Sequence, residues 1–264
     1  LLQAFERLGS DVDFEIPDRI KDGYGINESI IEQAHADGVE VILTCDNGIS
    51  AFHQVELAKK YGMTVVITDH HEVPLDGEKE KIPPADAVID PKQADCPYPF
   101  PEICGAVVAY KLVQVLYARR GVPQMEWLDL LEFAAIATVG DVMKLQDENR
   151  ILVKYGLKKM AQTKNLGLRR LAEKNNLDLG AITAYHIGFV IGPCLNAGGR
   201  LKTAKEALAL LRAQSEEEAE RLAEELKELN DTRKDMTEQG TEAAKLQVES
   251  WYQKDKVLVV FLPE

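Results

Sequence analysis

The sequence predicts an α/β fold: a parallel sheet with helices on both faces, followed by a long linking helix and the first strand of a second α/β domain. In the first half of the chain, short β-branched runs alternate with helical patterns, and the first two runs stop at polar clusters. Strand, helix and strand at this spacing are typical of βαβ units. Further along, a long polar helical pattern at residues 215–250 precedes an apolar run at 256–262.

The individual elements follow from the hydrophobic periodicity of each segment. Strands are predicted at residues 39–44, 63–68 and 85–89, and helices at 27–36, 51–61, 103–119, 127–139, 149–160, 168–175 and 202–212. In open parallel sheets the ligand site lies beyond the carboxyl ends of the strands. The polar clusters that follow the first two strands therefore predict a site at that edge of the sheet.

These patterns predict three segments: an α/β domain at residues 1–214, a connecting helix at 215–252, and the start of a further domain at 253–264. The chain opens within an amphipathic helical pattern and ends directly after an apolar run. We therefore expect a fragment of a longer protein.

Composition excludes several classes of protein. The 264 residues carry a net charge of −13, which taken alone argues against nucleic-acid binding, because phosphate contacts need Lys and Arg. The glutamate-rich stretch at 215–228 contributes much of this charge, so the net value does not decide the question. Four cysteines without CxxC spacing predict reduced thiols in a cytoplasmic protein. No run approaches the ~18 apolar residues of a membrane span.

Three clusters place carboxylates and imidazoles after apolar segments: Asp46, the triplet Asp69-His70-His71, and Asp141 after a glycine. The ends of adjacent parallel strands lie ~4.8 Å apart, so Asp46 and the triplet could share one ion, which Asp141 could close from a further element. Carboxylate and imidazole ligands without thiolate suit Mn²⁺, Mg²⁺ or Zn²⁺. A carboxylate that bridges two such ions is the core of two-metal phosphoryl chemistry.

Each cluster also has a purely structural interpretation. A lone Asp after a strand, such as Asp46, is most often the N-cap of the next helix. A Gly-Asp pair, as at Asp141, is most often a turn. Three consecutive ligand-capable residues at the end of a buried strand are harder to explain by packing, so the Asp69-His70-His71 triplet favours the metal site.

The segment around Asp69-His70-His71, residues 65–74, resembles the signature of the DHH phosphoesterase superfamily. Further segments are similar to the branch of that superfamily that degrades single-stranded DNA; they lie at residues 44–49, 88–91, 96–99, 103–112, 137–142, 192–200 and 229–234. The resemblance extends from about residue 40 to 235 and so covers most of the chain.

The resemblance implies a role for each residue of the three clusters. Asp46 matches the carboxylate that bridges the metal pair, and His70 and Asp141 match ligands of one ion. His71 matches the histidine that faces the scissile phosphate as a proton donor or charge stabiliser. Asp69 matches a supporting position, where its carboxylate could accept an imidazole N–H and fix the ligand tautomer.

A second motif is expected near the substrate phosphates. Asn196 and Arg200 match it; Gly198 and Gly199 could let backbone N–H groups approach an anion, and Arg200 could fork two phosphate oxygens. An inter-domain salt bridge is the alternative role for Arg200. Gly198 departs from the family pattern, which usually has Ala there.

The family implies a 5′-to-3′ exonuclease that uses Mn²⁺ or Mg²⁺ to hydrolyse single-stranded DNA to mononucleotides in repair and recombination. A single-strand-binding protein and a helicase are the implied partners. Two alternatives stay open: a phosphodiesterase for oligonucleotides or cyclic dinucleotides, and a non-catalytic replication scaffold.

One departure concerns the metal site itself. The family's first strand carries an Asp-x-Asp motif followed by Gly, and Asp11-Val12-Asp13 lacks that turn. We therefore expect an incomplete two-ion site in this chain, with weak metal binding and little or no activity.

Overall fold

The computed structural model of the chain describes residues 1–17, 25–201, 203–251 and 256–261. The backbone forms two compact units, and neither is continuous in sequence. The first comprises Leu1–Lys164 and Leu177–Gly192, and the second comprises Asn165–Asn176 and Pro193–Glu264. These two units do not test the predicted domain boundaries at residues 214 and 252, which stay predictions.

The first unit contains the predicted parallel sheet. Its strands are β1 (Val41–Leu43), β2 (Thr64–Thr68) and β5 (Ala87–Ile89), in the order β1-β2-β5 and all parallel. Leu43 pairs with Val66, and Thr68 pairs with Ile89. Between β2 and β5 a short antiparallel hairpin joins β3 (Leu75–Asp76) to β4 (Lys79–Glu80), which the sequence did not predict.

Helices cover this sheet because their apolar residues need burial. Helices α2 (Glu28–Ala36) and α3 (Phe52–Lys60) pack against it, whereas the short helix α1 (Leu2–Arg7) buries Ala4 in a separate cluster. Residues from α2, α3 and β2, with Met63 just before β2, form one apolar core: Ile31, Val55, Ala58, Met63, Val65 and Ile67. Burying such side chains contributes roughly 1.5–3 kcal/mol each and fixes β2 in the interior.

The rest of the first unit is helical. Its helices are α4 (Gly105–Arg119), α5 (Gln124–Leu128), α6 (Leu131–Gly140) and α7 (Asp147–Met160). Gly156 lets α7 approach α6 closely, because a Cβ there would overlap that of Ala135. A 3₁₀ turn (Leu179–Ala181), the single helical turn α9 (Ala184–His186) and a π-helix (Ile187–Ile191) complete the unit.

The second unit consists of helices α8 (Leu166–Lys174), α10 (Gly192–Leu201), α11 (Lys205–Arg212) and α12 (Glu216–Trp251), of which α10 starts at the unit boundary. The predicted long helix is thus confirmed. A row of ion pairs joins Arg169, Arg170 and Lys174 of α8 to Glu216, Glu220 and Glu224 of α12.

The strand predicted at 256–262 is wrong for the part that the structure describes: residues 256–261 form no strand. A strand requires a neighbour to accept its backbone hydrogen bonds. The apolar side chains of this segment are instead exposed; Val257, Val259 and Phe261 have little contact with the described residues. Leu262 lies outside them.

Among the described helices, none combines the length and the apolar composition that crossing a membrane requires. All four cysteines are free thiols.

Candidate metal centre

Asp46 lies where β1 has just ended, and its backbone still pairs with the neighbouring strand. Its N–H donates to the carbonyl of Thr68 at 3.0 Å. The backbone at Asp46 is left-handed, with φ of +64°, a conformation that Asp tolerates better than most residues. The N-cap of α3 is Ala51, so the interpretation of Asp46 as a helix cap is wrong.

Asp69 follows β2 and is the best-buried carboxylate of the site, with 1% of its side chain exposed. Its Oδ2 accepts the N–H of Ile49 at 2.9 Å, and its Oδ1 accepts the N–H of His70 at 2.8 Å. Oδ1 also lies 2.6 Å from Nδ1 of His71. A buried charge requires such donors. Asp69 thereby ties the loop after β1 to the loop after β2.

The imidazole that Asp69 contacts is that of His71, and its role in fixing a tautomer stays a prediction. No hydrogen-bond partner for His70 Nδ1 occurs in the described part of the chain, although this atom is buried. The exposed ring of His71 lies 4.7 Å from that of His70, between centroids. With Nδ1 bound to Asp69, His71 has Nε2 left for another group.

His70 is the point at which the predicted metal residues meet. Its Nε2 lies 3.0 Å from Oδ1 of Asp46 and 3.5 Å from Oδ2 of Asp141. The hydrogen bond to Asp46 raises the pKa of His70 above its ordinary value, and burial opposes this shift. Burial raises the pKa of Asp141, and the nearby His70 opposes that shift.

The donor atoms of these residues fit a divalent ion. Asp46, His70 and His71 offer ligand atoms within 4.8 Å of one another. Adjacent ligands of an octahedral ion bound at about 2.1 Å lie about 3 Å apart, close to the two separations at His70 Nε2. Carboxylate oxygens and one imidazole suit Mn²⁺ and Mg²⁺ better than a thiolate-selective metal.

The predictions had no role for Gly105, the first residue of α4, although this glycine controls the position of Asp46. A Cβ on Gly105 would lie 2.7 Å from both Cα and Cβ of Asp46 and would overlap its Oδ1. Only glycine therefore allows α4 to begin at this distance from the metal residues. A glycine that opens an otherwise apolar helix was the available signal.

Asp90 was also missed, although it ends the third strand as Asp46 and Asp69 end the first two. It is buried, its Oδ1 accepts the N–H of Lys92 at 2.9 Å, and burial raises its pKa. Its buried Oδ2 has no hydrogen-bond partner within the described ranges. A search for a carboxylate directly after each predicted strand would have identified Asp90.

The expected phosphate-binding residues lie on α10, in the second unit. Asn196 is exposed and Gly198 is buried. A Cβ on Gly198 would lie 2.7 Å from the carbonyl oxygen of Thr203, so this glycine allows close packing. Gly199 and Arg200 lie on the same helix, and the Arg200 side chain is outside the description. Anion binding by these four residues stays a prediction.

Comparison with known proteins places this geometry in a family. Residues 1–138 match the family model described as "DHH family, N-terminal domain". The single-stranded-DNA-specific exonuclease RecJ of Bacillus subtilis strain 168 is 39% identical over 244 residues, which are 92% of this chain and 30% of that protein. RecJ of Escherichia coli K12 is 38% identical over 248 residues, 90% of this chain and 42% of that protein.

Solved structures agree. A crystal structure of exonuclease RecJ bound to manganese superposes with a TM-score of 0.82 at 32% identity, covering 93% of this chain and 60% of that one. RecJ from Thermus thermophilus in complex with Mn²⁺ gives a TM-score of 0.74 at 31% identity, covering 89% of this chain and 33% of that one. The chain spans less than half the length of the two curated relatives.

Proposed function

The chain belongs to the DHH family, and from that premise we propose that it is the catalytic part of a metal-dependent exonuclease that hydrolyses single-stranded DNA. The observation that carries the proposal is the convergence of Asp46 and Asp141 on one nitrogen of His70, beside a His71 ring held by Asp69. The relatives named above act on single-stranded DNA, and two of their structures hold manganese.

In this proposal Asp46, His70 and Asp141 hold Mn²⁺ or Mg²⁺. When bound, the ion supplies an activated water and neutralises charge on the phosphoryl oxygens. The exposed His71 meets the scissile phosphate. When the His71 ring is protonated, its Nε2–H donates to a phosphate oxygen or to the leaving oxygen. The buried Asp69 carboxylate stabilises the positive charge of that ring.

The finer points of the proposal rest on the resemblance. They are 5′-to-3′ polarity, release of mononucleotides, a role in DNA repair and recombination in the cytoplasm, and a single-strand-binding protein and a helicase as partners. The free thiols agree with a reducing compartment. Asn196, Gly198, Gly199 and Arg200 are proposed to contact substrate phosphates.

A two-ion site is also part of the proposal. Asp11 and Asp13 do not take the place of the family's Asp-x-Asp motif in it, because the glycine-containing turn that follows that motif is absent after Asp13. Ligands for the second ion are therefore expected from an Asp-x-Asp strand in the full-length protein.

The test is hydrolysis of 5′-labelled single strands by the full-length protein with Mn²⁺, beside its His71→Ala variant. His53→Ala is the matched control, because His53 lies exposed on α3 and pairs only weakly with Glu28, at 3.6 Å. We expect labelled mononucleotides from the wild type and from the control, and none from His71→Ala. Hydrolysis restricted to dinucleotides would support the oligonucleotide phosphodiesterase instead, and no hydrolysis at all would support the scaffold.

A further inference from the structure

The segment that ends the first unit exposes two aromatic rings that stack on each other. Tyr185 and Phe189 are 64% and 67% exposed, respectively. Their ring centroids lie 4.8 Å apart with an angle of 26° between the planes. Large exposed aromatic groups on a folded surface are typical of binding sites rather than of solvent-facing helices.

A π-helix positions Phe189, and the helical turn α9 just before it carries Tyr185. Ile187 and Ile191 of the Ile187–Ile191 π-helix are fully buried, whereas Phe189 between them is turned outward. The N–H of Gly192 donates to the carbonyl of Ile187, and a Cβ on Gly192 would lie 2.8 Å from that oxygen. Single π-helical turns are frequent at functional sites.

The same segment packs against the helix that carries a metal residue. A Cβ on Gly188 would make ordinary contact, at 3.6 Å, with Cγ1 of Val139 in α6. Val139 lies two residues before Asp141, which approaches His70 Nε2. The aromatic pair is thus attached, through one layer of packing, to the end of α6 that faces the metal centre.

We propose that Tyr185 and Phe189 form a stacking platform for the bases of a single-stranded nucleic acid whose backbone reaches the metal centre. The proposal rests on the proposed function, because it uses the same strand. Base stacking on aromatic rings is tolerant of sequence, since every base has a flat face, and it contributes about 1–3 kcal/mol per base. An exonuclease that removes any nucleotide needs contacts of this kind.

The adjacent chemistry favours a nucleic acid over an apolar protein segment. The segment contacts Val139, two residues before Asp141, and the metal residues that Asp141 approaches suit a phosphodiester. A protein segment docked on the pair would need apolar volume, whereas a base needs a flat π-face. Leucine in place of either ring keeps the volume and removes the face, so the two occupants predict different results.

The experiment measures binding of short DNA strands to the full chain without divalent metal, by fluorescence anisotropy. One strand carries bases, and a second strand of equal length is abasic. The variants are Tyr185→Leu and Phe189→Leu, with Tyr185→Phe and Phe189→Trp as conservative replacements. Tyr61→Ala is the matched control, because Tyr61 is a partly exposed aromatic at the opposite end of α3 from the loop that carries Asp46.

We expect each Leu variant to raise the Kd for the base-carrying strand about tenfold and to leave the Kd for the abasic strand unchanged. The conservative variants and Tyr61→Ala should bind like the wild type. With Mn²⁺ and the full-length protein, the Leu variants should raise KM and leave kcat unchanged.

The proposal would be overturned if the Leu variants bound the base-carrying strand with the affinity of the wild type. So would equal affinity of the wild type for base-carrying and abasic strands. Circular dichroism of each variant identifies a failure to fold, and in that case the comparison of the two strands on the wild type decides. Absence of hydrolysis with Mn²⁺ would contradict the proposed function alone, because these binding measurements contain no metal.

Discussion

Nδ1 of His71 lies 2.6 Å from Oδ1 of Asp69, and this carboxylate is almost completely buried. An ionised carboxylate only accepts hydrogen bonds, so Nδ1 carries the proton that the pair shares. Asp69 also accepts the backbone N–H groups of Ile49 and His70, which hold it in one orientation. The tautomer and the direction of the His71 ring are therefore set by a residue that does not reach the substrate.

Replacing Asp69 with Asn is expected to lower kcat at least about 100-fold and to change KM little. The amide can present N–H to Nδ1, which favours the wrong tautomer, and it cannot stabilise a protonated ring. Steady-state hydrolysis by the full-length protein measures the effect. A kcat for Asp69→Asn within about tenfold of the wild-type value would contradict this role. Glu72→Gln, which alters an exposed neighbouring carboxylate, should be nearly silent.

Replacing His71 with Ala is expected to abolish turnover and to leave the metal content nearly intact. His70, Asp46 and Asp141 make the close contacts at the site, whereas Nδ1 of His71 is already bound to Asp69. Elemental analysis of manganese in the purified variant measures the content. Loss of metal would show that His71 is a ligand, which its place in the donor cluster also allows.

Two glycine-to-alanine changes near the site should differ in their effect on Mn²⁺ affinity. Gly105→Ala pushes a methyl group against Asp46, so we expect at least about tenfold weaker Mn²⁺ binding. Gly140→Ala meets nothing within 4 Å and should keep the affinity while stabilising α6 by up to about 1 kcal/mol. Calorimetric titration with Mn²⁺ and urea denaturation measure both quantities. Equal affinities in the two variants would contradict the packing argument.

Binding of Mn²⁺ is expected to strengthen as the pH rises. Asp46 raises the pKa of His70 above 6.5, so in the metal-free chain the His70⁺–Asp46⁻ pair stabilises the fold fully below pH 6.5. That stabilisation is lost as the pH rises through the raised pKa. The metal needs an unprotonated Nε2, so its binding releases a proton in this range. Calorimetry in buffers of different ionisation enthalpy counts the protons that are released on Mn²⁺ binding. A Mn²⁺ affinity independent of pH between about 6 and 8 would contradict the assignment of His70 as a ligand.

Replacing Val142, which follows Asp141, with Gly should stabilise the fold. Its φ of +56° is left-handed, and its side chain is 88% exposed, so no packing compensates the strain of a β-branched residue there. We expect a gain of about 1 kcal/mol in the free energy of unfolding, measured by urea denaturation. Val142→Ala should raise the free energy of unfolding by less, because alanine also disfavours the left-handed conformation.

The sequence predicted the sheet and its site because both depend on local patterns. The β-branched runs become β1, β2 and β5, and two of the polar residues that follow them, Asp46 and His70, lie 3.0 Å apart between Oδ1 and Nε2. The same rule applied to Asp90 would have extended the site. Asp46 could be placed after a strand, whereas its left-handed backbone could not, because that conformation depends on contacts with Gly105 and Thr68.

The π-helix and the strand predicted at 256–262 show where local patterns fail. The apolar run before Gly192 looks like any buried segment, and the extra residue per turn that exposes Phe189 depends on packing against α6. The later run has the composition of a strand, yet strand formation requires a partner. The anion-binding role predicted for the Gly198 region rests on resemblance, whereas the packing of Gly198 against Thr203 depends on the tertiary fold.

The row of ion pairs between α8 and α12 bears on how a polyanion meets this acidic protein. Glu216, Glu220 and Glu224 each lie within 4 Å of a cation supplied by α8. The three glutamates and the three cations of this row sum to no net charge, so the row itself repels a DNA strand little at long range. Charges more than about a Debye length away, ~8 Å at physiological salt, are largely screened, so a bound strand senses the charges near its own site rather than the total charge. An acidic isoelectric point is thus compatible with a protein that captures DNA.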